Sequence, residues 1–304
     1  MKYATIERTH RGGRMMNEQK VGFIGTGVMG KHMASHLQKA GYPLFVYTRT
    51  KSKAADLLYS GATWCETPSE LASKTDVVFT IIGEPKDVEQ IYIGKNGLFE
   101  GSHAGQVFID MTTSKPSLAQ ELYNKGKERD ISVLDAPVSG GDIFAQSGKL
   151  SIMVGGDEHI FTDMKPLFNT FGENIVYQGR AGAGQHTKMS NQIAIASTMI
   201  GVCEAITYAK TAGLDVETVL KSIAFGAAGS YSLSNLAPRM MKEDFAPGFF
   251  IKHFIKDMKI ALEEAERMDL KLPGLSMAKD MYEKLAAQGE AENGTQALIK
   301  AYSK

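Results

Sequence analysis

Short apolar runs alternate with amphipathic segments over the first part of this chain. Each run is rich in Val, Ile, Phe and Leu and ends at a glycine or a polar cluster. Runs of this kind predict buried strands, and the segments between them predict helices. The predicted strands are 21–24, 42–47, 76–82, 107–110, 131–135, 150–154 and 174–177. Strands that alternate with helices indicate a mostly parallel sheet with helices on both faces.

The pattern changes near Gly182, after which no convincing strand is found. Residues 183–212 predict one long helix, and its middle, 193–203, is apolar or small on nearly every face. A helix of this kind must be covered by its own domain or by a partner subunit. Further helices are predicted at 252–268, 274–288 and 295–300. The chain therefore ends in an all-helical domain.

The first predicted strand leads directly into a glycine-rich turn. Gly25, Gly27 and Gly30 follow it and are followed in turn by a helix-compatible run, 31–39. The first glycine allows a tight turn, the second lets the backbone approach a pyrophosphate, and the third lets the helix pack against the strand. The helix N-terminus presents N–H groups to the phosphates. The turn predicts a dinucleotide site, and the alternatives are a bare structural turn or another nucleotide-type ligand. The predicted cofactor-binding residues of the turn are Gly25, Thr26, Gly27, Val28, Met29 and Gly30.

The residues after the second strand indicate which dinucleotide is preferred. In an NAD site an acidic residue roughly 20 positions past the glycines holds the ribose 2′-hydroxyl. Here that place falls at Thr48, followed by Arg49, Thr50 and Lys53, so no carboxylate stands there to repel a 2′-phosphate. A guanidinium can bind such a phosphate through two hydrogen bonds. We predict that NADP(H) is preferred to NAD(H). If Arg49 instead stacks on the adenine, both cofactors would bind.

These patterns predict an α/β protein: a Rossmann-type, doubly wound, mostly parallel sheet followed by an all-α C-terminal domain. Residues 20–182 form the predicted NADP-binding domain, and 183–304 form a helical domain for the substrate and for oligomerisation. Residues 1–19 are polar and carry too little apolar surface to order themselves, so they are predicted to be a disordered tail.

Other candidate residues follow the carboxyl ends of later strands, where sheets of this type bind ligands. Ile82-Gly83 and Thr112-Thr113 occupy two of these places. A third is Ser139-Gly140-Gly141, whose successive N–H groups and hydroxyl could hold an anion. The alternative for this last segment is a plain glycine turn.

A polar patch opens the long C-terminal helix. Lys188, Asn191 and Gln192 are three and four residues apart, so they share one helix face. They could be a proton donor with amides that orient it or the substrate. Alternatively, the lysine extends its charged end into solvent and the two amides form hydrogen bonds with neighbouring backbone groups. The pair Lys256-Asp257 also lies in a helical run, where such a pair is usually on a solvated face.

Composition excludes several classes of function. Lys plus Arg and Asp plus Glu both number 34, so no basic excess indicates nucleic acid or an anionic membrane. The longest charge-free apolar stretch, 189–203, is too short to span a bilayer. Two cysteines without metal-type spacing suit a cytoplasmic protein. His32 and His36 could share a metal, but no third ligand stands near them in sequence, and a solvated helix face is the preferred interpretation.

Four motifs stand in an order that resembles the β-hydroxyacid dehydrogenase family, which includes 3-hydroxyisobutyrate dehydrogenase, tartronate semialdehyde reductase and succinic or glyoxylic semialdehyde reductases. The similarity runs from about Lys20 to the end of the chain. The matching segments are the glycine turn from Gly22 to Gly30; Asp135 to Gly141 with Ala145, Gly148 and Leu150; Gly182, Gly184 and Lys188; and Lys256-Asp257.

The resemblance implies an NADP(H)-dependent oxidoreductase that reduces a short 3-oxo acid or semialdehyde to the hydroxyacid, with oxidation possible in reverse. It implies that Lys188 is the catalytic lysine, which donates a proton while the nicotinamide C4 donates a hydride. It further implies that the segment from Ser139 to Gly141 holds the substrate carboxylate, with Asn191 and Gln192 also binding substrate. Thr113 and Lys256 would contact the cofactor, and the protein would be a homodimer or homotetramer.

The chain departs from the family pattern at three places. Gln192 replaces a frequent second asparagine, as in tartronate semialdehyde reductases, and Ile82-Gly83 replaces the usual Leu-Pro, which predicts a looser cofactor loop. Thr112 replaces the serine of the family's Asp-x-Ser-Thr loop, which is a mild change. Two other functions remain open. An imine reductase shares the fold but generally lacks the lysine, and a non-catalytic NADP(H)-binding module would need neither the lysine nor the anion cradle.

Overall fold

The computed structural model describes residues 10–11, 14–15 and 18–302. The chain forms two compact units, Met1–Lys188 and Met189–Lys304. Near the N-terminus, His10–Arg11 (β1) pairs antiparallel with Arg14–Met15 (β2). Of the tail predicted to be disordered, residues 1–9, 12–13 and 16–17 lie outside the described residues.

A nine-stranded sheet is the centre of the first unit. Its strands are β3 (Val21–Ile24), β4 (Leu44–Tyr47), β5 (Thr63–Trp64), β6 (Val77–Thr80), β7 (Val107–Asp110), β8 (Ser132–Asp135), β9 (Val138–Ser139), β10 (Leu150–Gly155) and β11 (Gly172–Gly179). Their spatial order is β11-β10-β8-β7-β6-β3-β4-β5, and β9 pairs with β10. Every pairing from β8 to β5 is parallel, whereas β10 runs antiparallel to β8 and β9. The predicted doubly wound, mostly parallel sheet is confirmed.

Adjacent residues of the central strands face opposite cores, because side chains alternate across a strand. On β3, Phe23 belongs to one buried cluster and Ile24 to the other. On β6, Phe79 and Val78 divide in the same way. Both faces are thus covered, as in other parallel sheets. The helices of this unit are α1 (Gly30–Lys39), α2 (Ala55–Tyr59), α3 (Pro68–Lys74), α4 (Pro85–Ile93), α5 (Leu98–Gly101), α6 (Pro116–Lys127), α7 (Gly141–Ser147) and α8 (Glu158–Phe168).

The second unit is helical, as predicted. Among its described residues the structure contains no named strand, and only an isolated bridge joins Phe250 to Gly294. Helix α9 (Ala183–Thr211) begins in the first unit and continues through the division at Lys188, whereas the sequence placed the domain boundary at 182/183. The later elements are α10 (Val216–Ile223), α11 (Ala237–Met241), α12 (Ile251–Arg267), α13 (Pro273–Leu285), two π-helical turns at Ser232–Leu236 and Ala286–Glu290, and a 3₁₀ segment at Thr295–Tyr302.

Local errors in the prediction have local causes. β5 and β9 are two residues long, too short for a periodic pattern to reveal. The helix predicted over 274–288 ends as an α-helix at Leu285 and continues as a π-helical turn. Gly289 in that turn has φ of +93°, a left-handed conformation that glycine adopts without strain.

Helix α9 is both long and apolar. An 18-residue window within it has mean hydropathy 1.3 and is 44% buried, so by length and composition the helix could cross a membrane. The core helix of a globular protein passes the same test, and a single such helix is weak support for a membrane span.

Candidate active site

Each glycine of the turn after β3 has a separate structural reason. Gly25 has φ of +96°, and a Cβ there would lie 2.1 Å from the carbonyl oxygen of Ile81. A Cβ on Gly30 would lie 1.9 Å from the carbonyl oxygen of Gly25, so α1 packs directly on the turn. A Cβ on Gly27, in contrast, would meet nothing within 4 Å. Two glycines are therefore required by the fold, and Gly27 leaves open space beside the backbone.

That open space fits a dinucleotide pyrophosphate. The hydroxyl oxygen of Thr26 is buried and has no hydrogen-bond partner among the described residues. Helix α1 begins at Gly30 without a side-chain cap on its N-terminus. An uncapped helix N-terminus favours anions, because its N–H groups and dipole are positive. The Gly25–Gly30 turn therefore provides both space and donors for the phosphates.

The polar segment after β4 is exposed. It forms the rim where the ribose of a dinucleotide is expected to bind. Arg49, Thr50 and Lys53 are all exposed in the described residues. The Arg49 guanidinium lies 3.5 Å from the carboxylate of Asp87 at the start of α4. No carboxylate follows β4 directly in the sequence, but the fold brings one to this rim from a segment 38 residues away.

Hydrogen bonds join the two loops after β6 and β7. The backbone N–H of Ile82 donates to Thr112 Oγ1 at 3.0 Å, and the N–H of Thr112 donates to Asp110 Oδ1 at 3.1 Å. Thr80 Oγ1 donates to the same Asp110 oxygen at 2.9 Å. The Ile82-Gly83 loop, predicted to be looser than in the family, is therefore tied to its neighbour. Burial raises the pKa of Asp110 to about 6.

The Ser139-Gly140-Gly141 segment lies between β9 and α7. Gly140 has φ of +133° and Gly141 has φ of +71°, and both values favour glycine. A Cβ on Gly140 would also lie 2.6 Å from Cβ of Phe144. The turn therefore requires both glycines. Binding of an anion by its backbone N–H groups stays a prediction from the sequence.

A histidine on α1 supports the helix that follows this turn. His36 Nε2 lies 3.1 Å from the carbonyl oxygens of both Ala145 and Gln146 at the end of α7. His36 is half-buried and one of its ring nitrogens contacts another helix, so the face that it shares with His32 is only partly solvated. Within the described residues no group of three or more His, Cys, Asp or Glu side chains could hold a metal.

The start of α9 is anchored by Asp135, the last residue of β8. Its two carboxylate oxygens accept hydrogen bonds from the backbone N–H groups of Gly182 and Gln185, each at 2.8 Å. Gly184 packs so closely that a Cβ would lie 2.6 Å from the Asp135 carbonyl oxygen. Burial raises the pKa of Asp135, and the N–H donors of Gly182 and Gln185 oppose part of that rise. Close packing on β8 thereby explains Gly184, whereas Gly182 has φ of +87°, a left-handed conformation that favours glycine.

Lys188 follows in the second turn of α9 and is only 7% exposed. Lysines are rarely so buried unless they are paired. The side chain of Gln185, one turn earlier, bonds to the loop after β7. The helix that carries Lys188 is therefore joined to the ends of two neighbouring strands.

The second unit places its predicted polar residues in one hydrogen-bonded group. Gln192 Nε2 donates to Asp257 Oδ2 at 2.6 Å, and Asn191 Nδ2 donates to Gln192 Oε1 at 2.7 Å. Lys256 Nζ lies 3.0 Å from Asp257 Oδ1, and the two groups form an ion pair. Asp257 is 2% exposed, so the interpretation of Lys256-Asp257 as a solvated pair is wrong.

Sequence reasoning missed four residues that organise these sites: Asp87, Asp110, Asp135 and Gln185. Asp135 and Gln185 lie inside two of the four motifs named in the sequence analysis, so their places in those motifs were the sequence signal that could have identified them. Asp110 ends a strand that was predicted correctly. For Asp87 no sequence signal pointed to Arg49.

Comparisons with known proteins agree with this architecture. Residues 20–179 match the family model described as the NAD binding domain of 6-phosphogluconate dehydrogenase. Residues 182–302 match the one described as NAD-binding of NADP-dependent 3-hydroxyisobutyrate dehydrogenase.

Curated relatives match over nearly the whole chain. An uncharacterized oxidoreductase, YkwC, of Bacillus subtilis is 58% identical over 94% of this chain and 100% of that protein. The 2-hydroxy-3-oxopropionate reductase of Escherichia coli is 38% identical over 93% of this chain and 96% of the relative. Among solved structures, Mycobacterium tuberculosis 3-hydroxyisobutyrate dehydrogenase with L-serine matches with a TM-score of 0.88 and 26% identity, over 94% of this chain and 100% of that one.

Proposed function

Because this chain belongs to the β-hydroxyacid dehydrogenase family, whose members are NAD(P)-dependent oxidoreductases of CH–OH groups, we propose that it reduces a short 3-oxo acid or semialdehyde with NADPH. The observation that carries the proposal is Lys188, a buried lysine on a helix held by Asp135 and Gln185. The similarity to a 2-hydroxy-3-oxopropionate reductase and to a dehydrogenase solved with L-serine supports a small carboxylate substrate.

The proposed mechanism assigns the proton to Lys188. When bound, the nicotinamide supplies the hydride that reduces the carbonyl carbon. Negative charge then develops on the carbonyl oxygen, where the protonated amine of Lys188 stabilises it and donates a proton. A lysine side chain in water is protonated at neutral pH, and reduction requires that acid form. We therefore propose that the protein acts as a reductase in practice.

Substrate binding is assigned to Ser139, Gly140 and Gly141, with Asn191 and Gln192. The backbone N–H groups and the serine hydroxyl would hold the substrate carboxylate, because closely spaced N–H donors bind anions. This arrangement would orient the carbonyl group and would disfavour uncharged substrates.

Cofactor binding is assigned to the strand ends of the first unit and to Lys256. The turn from Gly25 to Gly30 would hold the pyrophosphate, and Arg49 would pair with the 2′-phosphate of NADP(H). The match to a family model of NADP-dependent 3-hydroxyisobutyrate dehydrogenase supports this preference. The remaining proposed contacts are Thr48, Thr50, Lys53, Ile82, Gly83 and Thr113.

We also propose a cytoplasmic homodimer or homotetramer. The support is helix α9, which contains an apolar 18-residue stretch of which 44% is buried within the chain. A second copy would cover further apolar surface, and association of this kind is driven by such burial. Light scattering of the purified protein should give two or four times the mass of one chain, and a monomer would contradict the proposal.

The function can be tested by NADPH and NADH oxidation with glyoxylate, succinic semialdehyde, tartronate semialdehyde and methylmalonate semialdehyde. The wild type should turn over at least one of these with NADPH. Lys188→Ala should lower kcat by roughly 10² to 10⁴-fold, the usual contribution of general acid catalysis. Lys95→Ala, at an exposed lysine, is the matched control.

Two outcomes would contradict the proposal. Retained turnover by Lys188→Ala would remove the lysine from the mechanism. Tight NADPH binding by the wild type without turnover of any panel member would favour an imine substrate or a non-catalytic role.

A further inference from the structure

Gln185 is a fully buried amide that the proposed mechanism does not use directly. It is 0% exposed. Its side-chain oxygen accepts a hydrogen bond from the N–H of Ser114 at 2.9 Å, and its side-chain nitrogen donates to the carbonyl oxygen of Thr112 at 2.7 Å. The one amide therefore satisfies a donor and an acceptor on either side of Thr113.

The loop that Gln185 holds is also held from its other side. The N–H of Thr112 donates to Asp110 Oδ1 at 3.1 Å, and Thr112 Oγ1 accepts from the N–H of Ile82 at 3.0 Å. All of these groups are buried or half-buried, so water does not replace them readily. The conformation of the loop is thus defined by β7, by the loop after β6 and by α9.

The backbone of Gln185 is fixed independently of its side chain. Its N–H donates to Asp135 Oδ2 at 2.8 Å, at the end of β8. Gln185 consequently joins α9 to two adjacent strands, through the backbone to β8 and through the side chain to the loop after β7. A helix rises about 1.5 Å per residue, so Lys188 lies only about 4.5 Å further along the axis.

We propose that Gln185 is a positioning residue that keeps Lys188 in register with the loop from Thr112 to Ser114. The inference rests on the proposed function, in which Lys188 donates the proton and Thr113 contacts the cofactor. A glutamine is suited to this place because one end of its side chain donates and the other accepts. A misplacement of about 1 Å can lower the rate roughly 10²-fold, so a small movement of this loop relative to the helix would be visible in kcat.

Gln185→Glu tests the proposal because it makes the bridge depend on pH. A protonated carboxyl group can donate to the Thr112 oxygen and accept from Ser114, as the amide does. An ionised one can only accept, so it would repel the Thr112 oxygen. The folded state therefore favours the protonated form and raises the pKa of the introduced carboxyl above about 4.3. Its contribution to stability is present at low pH and is lost as pH rises through the folded-state pKa.

The expected result has three parts, measured between pH 5.5 and 8.5. The thermal midpoint of Gln185→Glu should fall relative to the wild type as pH rises. Its kcat at saturating substrate should fall in parallel, to roughly 10²-fold below the wild type at the highest pH. Its dissociation constant for NADPH, measured by fluorescence without substrate, should rise over the same range because the loop holding Thr113 is displaced.

Gln106→Glu is the matched control for a purely structural effect. Gln106 is 1% exposed, donates to the carbonyl oxygens of Ala72 and Thr75 at 2.7 and 2.6 Å, and accepts from the N–H of His103 at 2.8 Å. It bridges backbone segments as Gln185 does, but none of them is assigned to the active site. Its thermal midpoint should fall as pH rises, while the kcat and the NADPH affinity of the folded protein stay equal to those of the wild type.

A second variant covers the case in which Gln185→Glu does not fold. Gln185→Met has a similar length and no charge, and it should lower kcat at every pH without adding a pH dependence. The proposal is overturned if, at pH 8.5, kcat of either folded Gln185 variant matches that of Gln106→Glu. If the wild type turns over no panel substrate, the proposed function fails, and the NADPH and stability measurements still decide whether Gln185 controls the loop.

Discussion

The guanidinium of Arg49 and the carboxylate of Asp87 lie 3.5 Å apart at the rim where a dinucleotide ribose is expected. Asp87 is held in place because its other oxygen accepts the N–H of Glu84 at the start of α4. The Arg49 side chain is 77% exposed. An ion pair this exposed stabilises a protein by about 1 kcal/mol at most. Arg49 can therefore leave Asp87 for a phosphate with little loss.

Arg49→Gln should weaken NADPH binding by about 10 to 100-fold and leave NADH binding nearly unchanged. The lost interaction is a charge-assisted hydrogen bond to the 2′-phosphate, worth about 1.5–3 kcal/mol. Titration of both cofactors would measure the ratio. Asp87→Asn, which keeps an acceptor for Glu84, should strengthen NADPH binding by at most about five-fold. Equal losses for NADPH and NADH in Arg49→Gln would show that Arg49 stacks on adenine instead.

Gly27→Ala should separate ligand binding from folding. A Cβ at this position meets nothing within 4 Å, so the thermal midpoint without cofactor should stay near that of the wild type. NADPH binding should weaken strongly, because the methyl group would occupy the space through which the pyrophosphate approaches the backbone. Gly30→Ala is the contrasting variant, since its Cβ would lie 1.9 Å from the Gly25 oxygen and should destabilise the free protein. Unchanged NADPH affinity in Gly27→Ala would place the pyrophosphate elsewhere.

Ser139→Ala should raise KM for the substrate carboxylate by about ten-fold with a smaller change in kcat. The serine hydroxyl is proposed to donate one hydrogen bond to that carboxylate, and a bond to a charged group contributes about 1.5–3 kcal/mol. Steady-state kinetics at saturating NADPH would give both constants. Ser147→Ala, at the exposed end of α7, is the control. A drop in kcat alone would instead give Ser139 a role in the chemical step.

Asp110→Asn should change how stability depends on pH. Burial raises the pKa of Asp110 from 3.8 to about 6, so the folded state holds this proton more tightly than the unfolded state does. The associated stability is present below pH 3.8 and is lost as pH rises to about 6. Relative to Asp110→Asn, the wild type should thus lose on the order of 3 kcal/mol between these pH values. Urea unfolding at pH 4 to 7 measures this difference, with Asp56→Asn as an exposed control. Parallel profiles for the wild type and Asp110→Asn would contradict it.

The sequence predicted the parallel sheet and the main helices because their signals are local. The run from Val21 to Ile24 is apolar over a strand's length, and the glycines after it must turn the chain whatever surrounds them. The length of α9 was also evident, since nothing between Ala183 and Thr211 interrupts a helix. Lys188 could be chosen because it follows a recognisable glycine spacing. Its assignment as the catalytic lysine is still a prediction.

Tertiary structure alone decided which polar groups meet. Asp135 and Gln185 are 50 residues apart in sequence, Gln192 and Asp257 are 65 apart, and Arg49 and Asp87 are 38 apart. No periodic pattern specifies such pairs, because each depends on where two strand ends or two helix faces come together after folding. The sequence by itself determined the elements and the glycines that a dinucleotide needs. The burial of Asp257 and the bridge made by Gln185 were decided by packing, since a buried polar group must take its partner from whichever segment lies beside it.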